Sequence, residues 1–457
     1  MRHREIVHRP TTHGSRSGRF LSPGIPPRTP LEFAEVAARH PDFPKLLMLK
    51  MDLQRRGVHY TQAALRAVDP AVHQLGGTHV FGVRDGRYIA DNGGKPVRRP
   101  EAFILRDGSS VITNPTPLDQ HPYIIDVVDG RLAIMDADQA VEEISYWEKP
   151  AYYDKFTRSG VLMQNVISAR PQRLYLVPNR YCHFWTKKEG CRFCDIVVNL
   201  KDQRESFNMP VTLNPEDVAD TIREALKEPG RATAICLTGG TNFHGDHEFD
   251  AEVHLYIAIV KALGEGFSTS RFPCQIVCTA MPRHQVERLY NETGASSLTM
   301  NIEVLNEKLF NWICPGKARR VGYREWKKRL VDAVDVFGRS RVNTGIVSGV
   351  ELVPPHGFTT EQEALGAVLK EAEEFAAEGV STVNIIWNPR PGSYFEHEEN
   401  ASLEYYVRLA WGLQSIRQKY GLNIDFDDYR RCGNHPDSDL ARVFLPGDEH
   451  GVPMGYL

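Results

Sequence analysis

The sequence predicts an α/β protein whose core is an open barrel of βα units, preceded by a small α+β region and followed by a helix and a tail. Two observations carry this prediction. From about residue 173 onward, short apolar segments typical of buried strands alternate with longer amphipathic segments typical of helices. Before that point, strand-like segments are separated by turn pairs such as Asp107-Gly108 and Asp129-Gly130, which indicates a smaller region of different construction.

The composition is that of an ordinary soluble globular protein. The 457 residues include 55 Lys+Arg and 58 Asp+Glu, a net charge of −3, and 41% hydrophobic residues. No apolar run approaches the roughly 20 residues that span a bilayer, and the start of the chain lacks the apolar core of a signal peptide. We therefore expect a cytoplasmic protein with no membrane partner. The near-neutral charge gives no basic footprint for nucleic acid, so we expect a small-molecule substrate.

The first part of the chain contains no chemical motif. Residues 1–30 are rich in Arg, Ser, Gly and Pro, which predicts a flexible arm. Between residues 31 and 68, apolar residues recur at helical spacing and predict two or three helices. Short segments rich in β-branched and aromatic residues then predict strands over 78–83, 102–106 and 124–128. Residues 31–165 are thus predicted to form an N-terminal α+β region.

Six strands are predicted in the core, over 174–177, 234–237, 275–279, 297–302, 342–347 and 382–387. The helices predicted between them cover 214–227, 251–263, 284–292, 323–337 and 361–377. Because six units are too few for a closed eight-stranded barrel, we expect a partial (β/α)6 TIM-like barrel over 166–400, with functional residues at the carboxyl ends of the strands. A helix over 403–420 opens a C-terminal segment, 401–457, that we expect to cap the core.

Three of the eight cysteines, Cys182, Cys191 and Cys194, occur on the loop after the first core strand. Three thiolates can hold three corners of a cubane iron–sulfur cluster and leave the fourth iron open to a non-protein ligand. A zinc site that adds His183 is the main alternative, although adjacent Cys182 and His183 are awkward to place on one ion. Core packing and a redox pair formed by the C-x-x-C segment fit the spacing less well.

The segment Cys191-Arg192-Phe193-Cys194 and the order of elements from about 170 to 400 resemble the radical S-adenosylmethionine (radical SAM) superfamily. The resemblance implies a 4Fe-4S cluster on the three cysteines and S-adenosyl-L-methionine bound at the open iron. It also implies an oxygen-sensitive reaction in which an electron from a carrier such as flavodoxin or ferredoxin gives a 5′-deoxyadenosyl radical, which abstracts hydrogen from the substrate. The eight residues between Cys182 and Cys191 exceed the family's usual gap, so the subfamily is not identified.

The resemblance also implies cofactor contacts at further positions. Gly239 and Gly240 match a glycine motif, with Thr241 where the family often has an acid, and Asn301 and Glu303 match residues that bind ribose. The full set of expected cofactor contacts is Phe193, Gly239, Gly240, Thr241, Asn301, Glu303, Arg320, Arg324, Ser348, Trp387 and Asn388.

Residues just beyond strands five and six are expected to contact substrate: Glu351, His356, Arg390 and Tyr394. The thiols of Cys314 and Cys432, predicted on loops, are candidates for a catalytic role. The sequence leaves open whether the enzyme is a transferase, lyase, mutase or oxidoreductase. Two alternatives also stay open: cleavage of SAM to a 3-amino-3-carboxypropyl radical, and a zinc-stabilised binding or scaffold protein without redox chemistry.

Overall fold

The computed structural model describes residues 31–75, 99–100, 102–112, 114–170, 173–422, 435–436 and 439–441. It is a mixed α/β structure. The strands are β1 (Val58–Tyr60), β2 (Ala102–Leu105), β3 (Ser110–Ile112), β4 (Tyr123–Val128), β5 (Arg131–Asp136), β6 (Gln139–Tyr146), β7 (Ser168–Arg170), β8 (Arg173–Leu176), β9 (Ala234–Leu237), β10 (Phe272–Cys278), β11 (Ala295–Met300), β12 (Val342–Ser348) and β13 (Val380–Ile386).

The helices begin before the first strand and end after the last. They are α1 (Leu31–Arg39), α2 (Lys45–Arg56), α3 (Gln62–Arg66), α4 (Ile196–Phe207), α5 (Pro215–Ala225), α6 (Asp250–Gly264), α7 (Arg283–Glu292), α8 (Glu307–Ile313), α9 (Pro315–Arg320), α10 (Tyr323–Phe337), α11 (Glu361–Ala377) and α12 (Leu403–Lys419). None of the helices in the described ranges is long and apolar enough to cross a membrane.

The N-terminal strands form a sheet of their own, in the order β1-β4-β5-β6-β2-β3. All neighbours in it are antiparallel except β1 and β4. Helices α1 to α3 confirm the helical prediction for residues 31–68, and β2 and β4 confirm the strands predicted over 102–106 and 124–128. The arm predicted over 1–30 and the strand predicted over 78–83 lie outside the described residues.

The core sheet contains seven strands in sequential order, from β7 to β13. Strands β8 to β13 are the six predicted core strands, and each runs parallel to its neighbour. Short β7, which the sequence did not indicate, adds an antiparallel edge beside β8. Because the strand order is linear, the described strands form an open sheet rather than a closed ring.

The connecting helices match the predicted ones within two residues at each end, and their capping explains where several of them begin. The Asn214 side chain accepts from the Glu216 backbone N–H ahead of Pro215 in α5, and the Thr360 hydroxyl accepts at the start of α11. Helices α4, α8 and α9 were not predicted. Helix α4 opens on Ile196-Val197-Val198, a β-branched run that is typical of a strand, and its N-cap Asp195 makes no side-chain capping bond.

Helix α2 packs against both α12 and the last strand, β13. It is buried along most of its length, polar residues included, because α1, α12 and β13 surround it. Lys50 on this helix forms a buried ion pair with Asp439, with Nζ 2.5 Å from Oδ2. The N-terminal region and a C-terminal segment therefore meet beside the open edge of the core sheet.

Candidate functional site

A cavity lies at the carboxyl ends of the core strands, the position that parallel βα architecture predicts. It encloses about 1480 Å³, part of it open to solvent. Every parallel strand, or the loop that follows it, contributes to the wall. Residues from these strands and loops include Cys182, Thr238, Thr279, Asn301, Val347 and Trp387.

The cysteine-bearing segment, residues 179–195, is held against the loop after β9 by backbone hydrogen bonds. The Gly240 N–H donates to the Asn179 carbonyl oxygen at 2.8 Å, and the His183 N–H donates to the Thr241 carbonyl oxygen at 2.9 Å. The Asn179 side chain adds a bond from Nδ2 to the Tyr181 carbonyl oxygen at 2.7 Å. The position of the thiols is thus fixed by the neighbouring loop.

Gly239 and Gly240 are required by this contact. A Cβ on Gly240 would lie 2.5 Å from the carbonyl carbon and oxygen of Tyr181, and one on Gly239 would lie 2.6 Å from the Asn179 oxygen. Such distances are forbidden between non-bonded atoms, so neither position tolerates a side chain without a shift of backbone. The cofactor contact expected of these glycines stays a prediction, and the close neighbour in the structure is the cysteine-bearing segment itself.

Cys182, Cys191 and Cys194 all line the cavity. Burial raises the pKa of Cys182 to about 11 and that of Cys194 well above its usual range, and charge on the neighbouring cysteines adds to both shifts. Thiols whose pKa is raised in this way, as in Cys182 and Cys194, are stabilised as thiolates by a bound metal, which deprotonates a coordinating thiol. The donor set therefore fits an iron–sulfur cluster. Within the described residues, no three His, Cys, Asp or Glu side chains lie close enough together to hold a single metal ion.

The other thiols occupy different positions. Cys314 is fully buried between α8 and α9, where it forms a hydrogen bond with Cys191 that lowers the pKa of Cys191. Cys314 thus lies in the short connection between two helices, and its predicted catalytic role stays a prediction. Cys278 lines the cavity at the end of β10, and its charged neighbour is Glu252. Cys432 lies outside the described residues.

His183, the fourth ligand of the zinc alternative, packs among aromatic rings. Its ring centroid lies 4.8 Å from that of His244 and 5.2 Å from that of Tyr181, both in edge-on geometry. Burial lowers its pKa, and the charge of His244 lowers it further. The ring is absent from the cavity wall that the cysteines share. This placement favours a site of three thiolates over one that includes the histidine.

Asn301 and Glu303 follow β11 and line the cavity, where they are joined by a residue that the sequence did not reveal. Lys317 donates from Nζ to the Glu303 carboxylate at 2.6 Å and to the Asn301 carbonyl oxygen at 2.7 Å. Burial opposes the lysine charge, but Glu303 and the nearby thiols outweigh it and raise the pKa of Lys317. Burial also raises the pKa of Glu303. A buried ion pair thus lies directly beside Cys191.

Glu252 is a second residue that sequence reasoning missed. Its carboxylate, buried on α6, accepts from the backbone N–H groups of Asn242 at 2.8 Å and Thr279 at 3.0 Å. The Thr279 hydroxyl lies 2.8 Å from that of Thr241, which lines the cavity. Burial raises the pKa of Glu252 to about 7. A single carboxylate therefore connects the loops after β9 and β10. The only sequence signal was its place in the first turn of a predicted helix.

Phe193, Trp387, Asn388 and Arg390 also line the cavity. The Trp387 indole Nε1 is buried and has no hydrogen-bond partner among the described residues. A buried donor of this kind is costly while it lacks an acceptor. Ser348 lies behind the wall, where its carbonyl oxygen accepts from the Tyr406 hydroxyl.

Five other predicted residues lie away from the cavity wall. Arg324 is exposed and pairs with Glu307, and Arg320 donates to the Phe243 carbonyl oxygen. Glu351 is buried, but its carboxylate is engaged by the Gly349 N–H and the Tyr405 hydroxyl. His356 and Tyr394 contact neighbouring side chains instead: His356 packs edge-on against Trp312, and Tyr394, 71% exposed, lies under the Arg192 guanidinium.

The fold and site together define a mixed α/β protein with a cysteine-lined ligand cavity at the end of a parallel sheet. No protein-family model matches the chain, and no curated protein matches it. Among solved structures, the chain is similar to a radical SAM methyltransferase from Sphaerobacter thermophilus, with a TM-score of 0.39 and 17% identity. The likeness covers 68% of this chain and 80% of that one. We therefore argue the function from the chain's own residues.

Proposed function

We propose that this chain is a radical SAM enzyme that acts on a small molecule. Cys182, Cys191 and Cys194 would hold a 4Fe-4S cluster, and the adjoining cavity would receive S-adenosyl-L-methionine. The observation that carries the proposal is that these three thiols, on one loop, line the same cavity as Gly240 and Asn301 at the carboxyl ends of six parallel strands. Three thiolates leave one iron of a cubane cluster for a ligand that is not protein.

The proposed core is the partial (β/α)6 barrel over residues 166–400. Residues 31–165 and 401–457 would cover its open side, a role supported by the burial of α2 against β13 and α12. We further propose a cytoplasmic enzyme with a small flavoprotein or iron–sulfur protein, such as flavodoxin or ferredoxin, as electron donor. The reaction class within transferases, lyases, mutases and oxidoreductases is left open.

When bound, the cluster supplies the single electron that breaks a carbon–sulfur bond of SAM. The chain's own residues position the cofactor and control its surroundings. The Lys317 ammonium offsets negative charge beside Cys191, and its bond to Glu303 keeps that carboxylate at the cavity wall. The apolar side chains of Val347 and Ile385 border the same space and exclude water, which protects a reactive radical from side reactions.

Trp387 is the residue whose contact with a ligand is most specific. Its buried Nε1 has a hydrogen to donate and no acceptor among the described residues, and its ring borders the cavity at the end of β13. A planar, nitrogen-containing group such as adenine offers both a face to pack on the indole and acceptors for its N–H. We therefore assign Trp387 to the adenine end of SAM.

The test uses the full chain, purified without oxygen and reconstituted with iron and sulfide. We expect about four irons per chain, thiolate-to-iron absorption, and 5′-deoxyadenosine when SAM and a reductant are added. Replacement of Cys182, Cys191 or Cys194 by Ala should reduce nucleoside formation to the background of the assay. Cys274→Ala is the matched control, since Cys274 is buried on β10 outside the cavity wall.

The same experiment separates the alternatives. Release of 5′-methylthioadenosine instead of 5′-deoxyadenosine identifies cleavage to the 3-amino-3-carboxypropyl radical. Colourless protein that retains one zinc ion per chain and forms neither nucleoside overturns the proposal in favour of a zinc-stabilised binding protein. Nucleoside formation that survives all three cysteine replacements shows that the ligand assignment is wrong.

A further inference from the structure

A second cavity adjoins the first. It encloses about 1810 Å³, part of it open to solvent, between the end of α2, residues 114–120 and the segment after β13. The two cavities share four wall residues: Asn114, Asp195, Asn388 and Arg390. The two cavities are therefore neighbours, and these four residues border both of them.

Three arginines line the second cavity, and they differ in their partners. Arg55 pairs with Asp52 at 2.6 Å and with Glu32 at 2.7 Å. Arg56 pairs with Asp136 at 2.8 Å. The half-buried Arg390 side chain makes no ion pair or hydrogen bond with any residue in the described ranges. Of the three arginines, Arg390 is thus the one that has no carboxylate partner in the described part of the protein.

The backbone around Arg390 is fixed even though its side chain is not engaged. Its carbonyl oxygen accepts from the Ser393 N–H at 3.0 Å and from the Ser393 hydroxyl at 2.8 Å. Pro389 and Pro391 flank it and restrict the chain further. The neighbouring Asn388 donates from Nδ2 to the Arg55 carbonyl oxygen at 2.9 Å. The backbone that carries the guanidinium is therefore already ordered, so anion binding costs only the rotamer freedom of the Arg390 side chain.

A guanidinium that lines a cavity and lacks a protein partner is available to an anion, and its planar group matches a carboxylate with two parallel hydrogen bonds. Other charges in the cavity restrict which anion fits. Glu398 and Glu399 line it and make no ion pair within the described residues, while Glu396 accepts from the Gly392 N–H. Two unmatched carboxylates disfavour a dianion such as phosphate more than a monoanion.

We propose that Arg390 is an anion-binding residue of a substrate subsite, and that the substrate carries a carboxylate that binds there. This inference rests on the proposed function in one respect, that the ligand is called a substrate; the binding of an anion by Arg390 does not depend on it. The carboxylate end occupies the junction of the two cavities, and the rest of the molecule extends towards the cysteines. The unmatched Glu398 and Glu399 offer positions for an amino group on the same ligand.

The test measures arginine modification by phenylglyoxal in the full chain, with peptide mass spectrometry as the readout. Arg390 should react about tenfold faster than Arg55 and Arg56, because the guanidinium groups of Arg55 and Arg56 are engaged by carboxylates and that of Arg390, among the described residues, is not. N-Acetylglycine should slow the Arg390 reaction several-fold, whereas its neutral counterpart N-acetylglycinamide should not. Inorganic phosphate should protect less than N-acetylglycine.

Two variants keep the test decisive. Arg390→Lys retains the charge but loses the two-pronged geometry, and should bind N-acetylglycine more weakly than the wild type by calorimetry. Arg339→Gln, which removes an exposed arginine bonded only to the Ala377 carbonyl oxygen, should bind it unchanged. A lysine variant that binds as tightly as the wild type contradicts the subsite.

Several outcomes overturn the inference. The first two are equal reaction rates of Arg55, Arg56 and Arg390, and equal protection of Arg390 by N-acetylglycine and N-acetylglycinamide. The third is stronger protection by phosphate than by N-acetylglycine. The fourth is competition between N-acetylglycine and SAM, which would place Arg390 in the cofactor site. Because modification and protection are measured without reductant, they do not depend on radical chemistry. A chain that forms no nucleoside but shows carboxylate protection therefore fails only the proposed function.

Discussion

The segments after the first and last parallel strands border the same cavity but are built in different ways. Residues 179–195, after β8, present three thiols and are held by bonds to the glycine loop after β9. Residues 387–400, after β13, present an arginine without a partner in the described structure and are held by bonds to α2. The first segment stands out in the sequence by its residue types and their spacing. What marks the second segment is that its arginine has no charged partner in the described structure.

Replacement of Lys317, a cation that is already paired within the protein, should show this contrast most strongly. Lys317→Met leaves the buried Glu303 carboxylate without its partner, and we expect a loss of about 3 to 5 kcal/mol in the free energy of unfolding by urea. Arg390→Met should cost less than about 1 kcal/mol, since no partner in the described residues loses its counter-charge.

The double variant Lys317→Met/Glu303→Gln provides the internal control. It removes both charges of the pair and should recover most of the stability that Lys317→Met loses. Equal costs for Lys317→Met and Arg390→Met would break the comparison between the two segments.

The Glu252 carboxylate, which connects the loops after β9 and β10, should make the free energy of unfolding depend on pH by about 3 kcal/mol. Burial raises the pKa of Glu252 from 4.5 to about 7, so the folded state binds its proton more tightly than the unfolded state does. Its contribution to stability is complete below pH 4.5 and is lost as the pH rises to about 7. Urea unfolding across this window should therefore show stability falling with pH.

Glu252→Gln should be less stable at low pH, because the NH2 group of Gln cannot accept from a backbone N–H, as both oxygens of the Glu252 carboxyl group do. It should also lack the part of the pH slope that Glu252 contributes. The slope, rather than the absolute stability, is the measurement that matters, and an unchanged slope would contradict the assignment.

Gly240→Ala should destabilise the cysteine-bearing segment by about 1 to 3 kcal/mol, since the new Cβ meets the Tyr181 carbonyl at 2.5 Å. We also expect less iron per chain after reconstitution. Gly366→Ala is the matched control, because no atom lies within 4 Å of its Cβ position on helix α11. Alanine there should be neutral or stabilising. Equal effects of the two replacements would contradict the close contact.

The smallest effect is expected from the last segment. Asn400→Ala removes a hydrogen bond of 2.8 Å from Nδ2 to the Arg55 carbonyl oxygen and should cost about 1 kcal/mol. Iron content should stay nearer to wild type than in Gly240→Ala, because the lost bond lies on the opposite side of the cavity. A greater loss of iron in Asn400→Ala than in Gly240→Ala would show that the two segments are not independent.

The sequence predicted the core well because its strands are short, apolar and separated by long amphipathic helices. Strands β8 to β13 lie within a few residues of the predicted bounds, and α10 and α11 match theirs. Helix α4 was missed because its β-branched start is unfavourable for a helix in isolation and becomes helical through contacts with the rest of the fold.

The same distinction applies to the site. The spacing of the cysteines and the paired glycines was informative because few structures need such residues together. Lys317 and Glu252 carried no such signal, since a lysine in a helix is most often solvated and only burial reveals otherwise. Arg324, which the sequence suggested as a cofactor contact, is instead an exposed partner of Glu307.

The buried ion pair between Lys50 and Asp439 joins residues 389 positions apart in the chain. During synthesis, helix α2 leaves the ribosome long before β13, α12 and residue 439 exist to cover it. The contacts of α2 with α1 and β3 can form early, whereas those with β13 and α12 must wait for the last part of the chain, and closing so long a loop is entropically slow. We expect the face of α2 that packs on β13 and α12 to be among the last surfaces to acquire its native contacts, and the unfinished chain to present that face as a surface that a chaperone can bind.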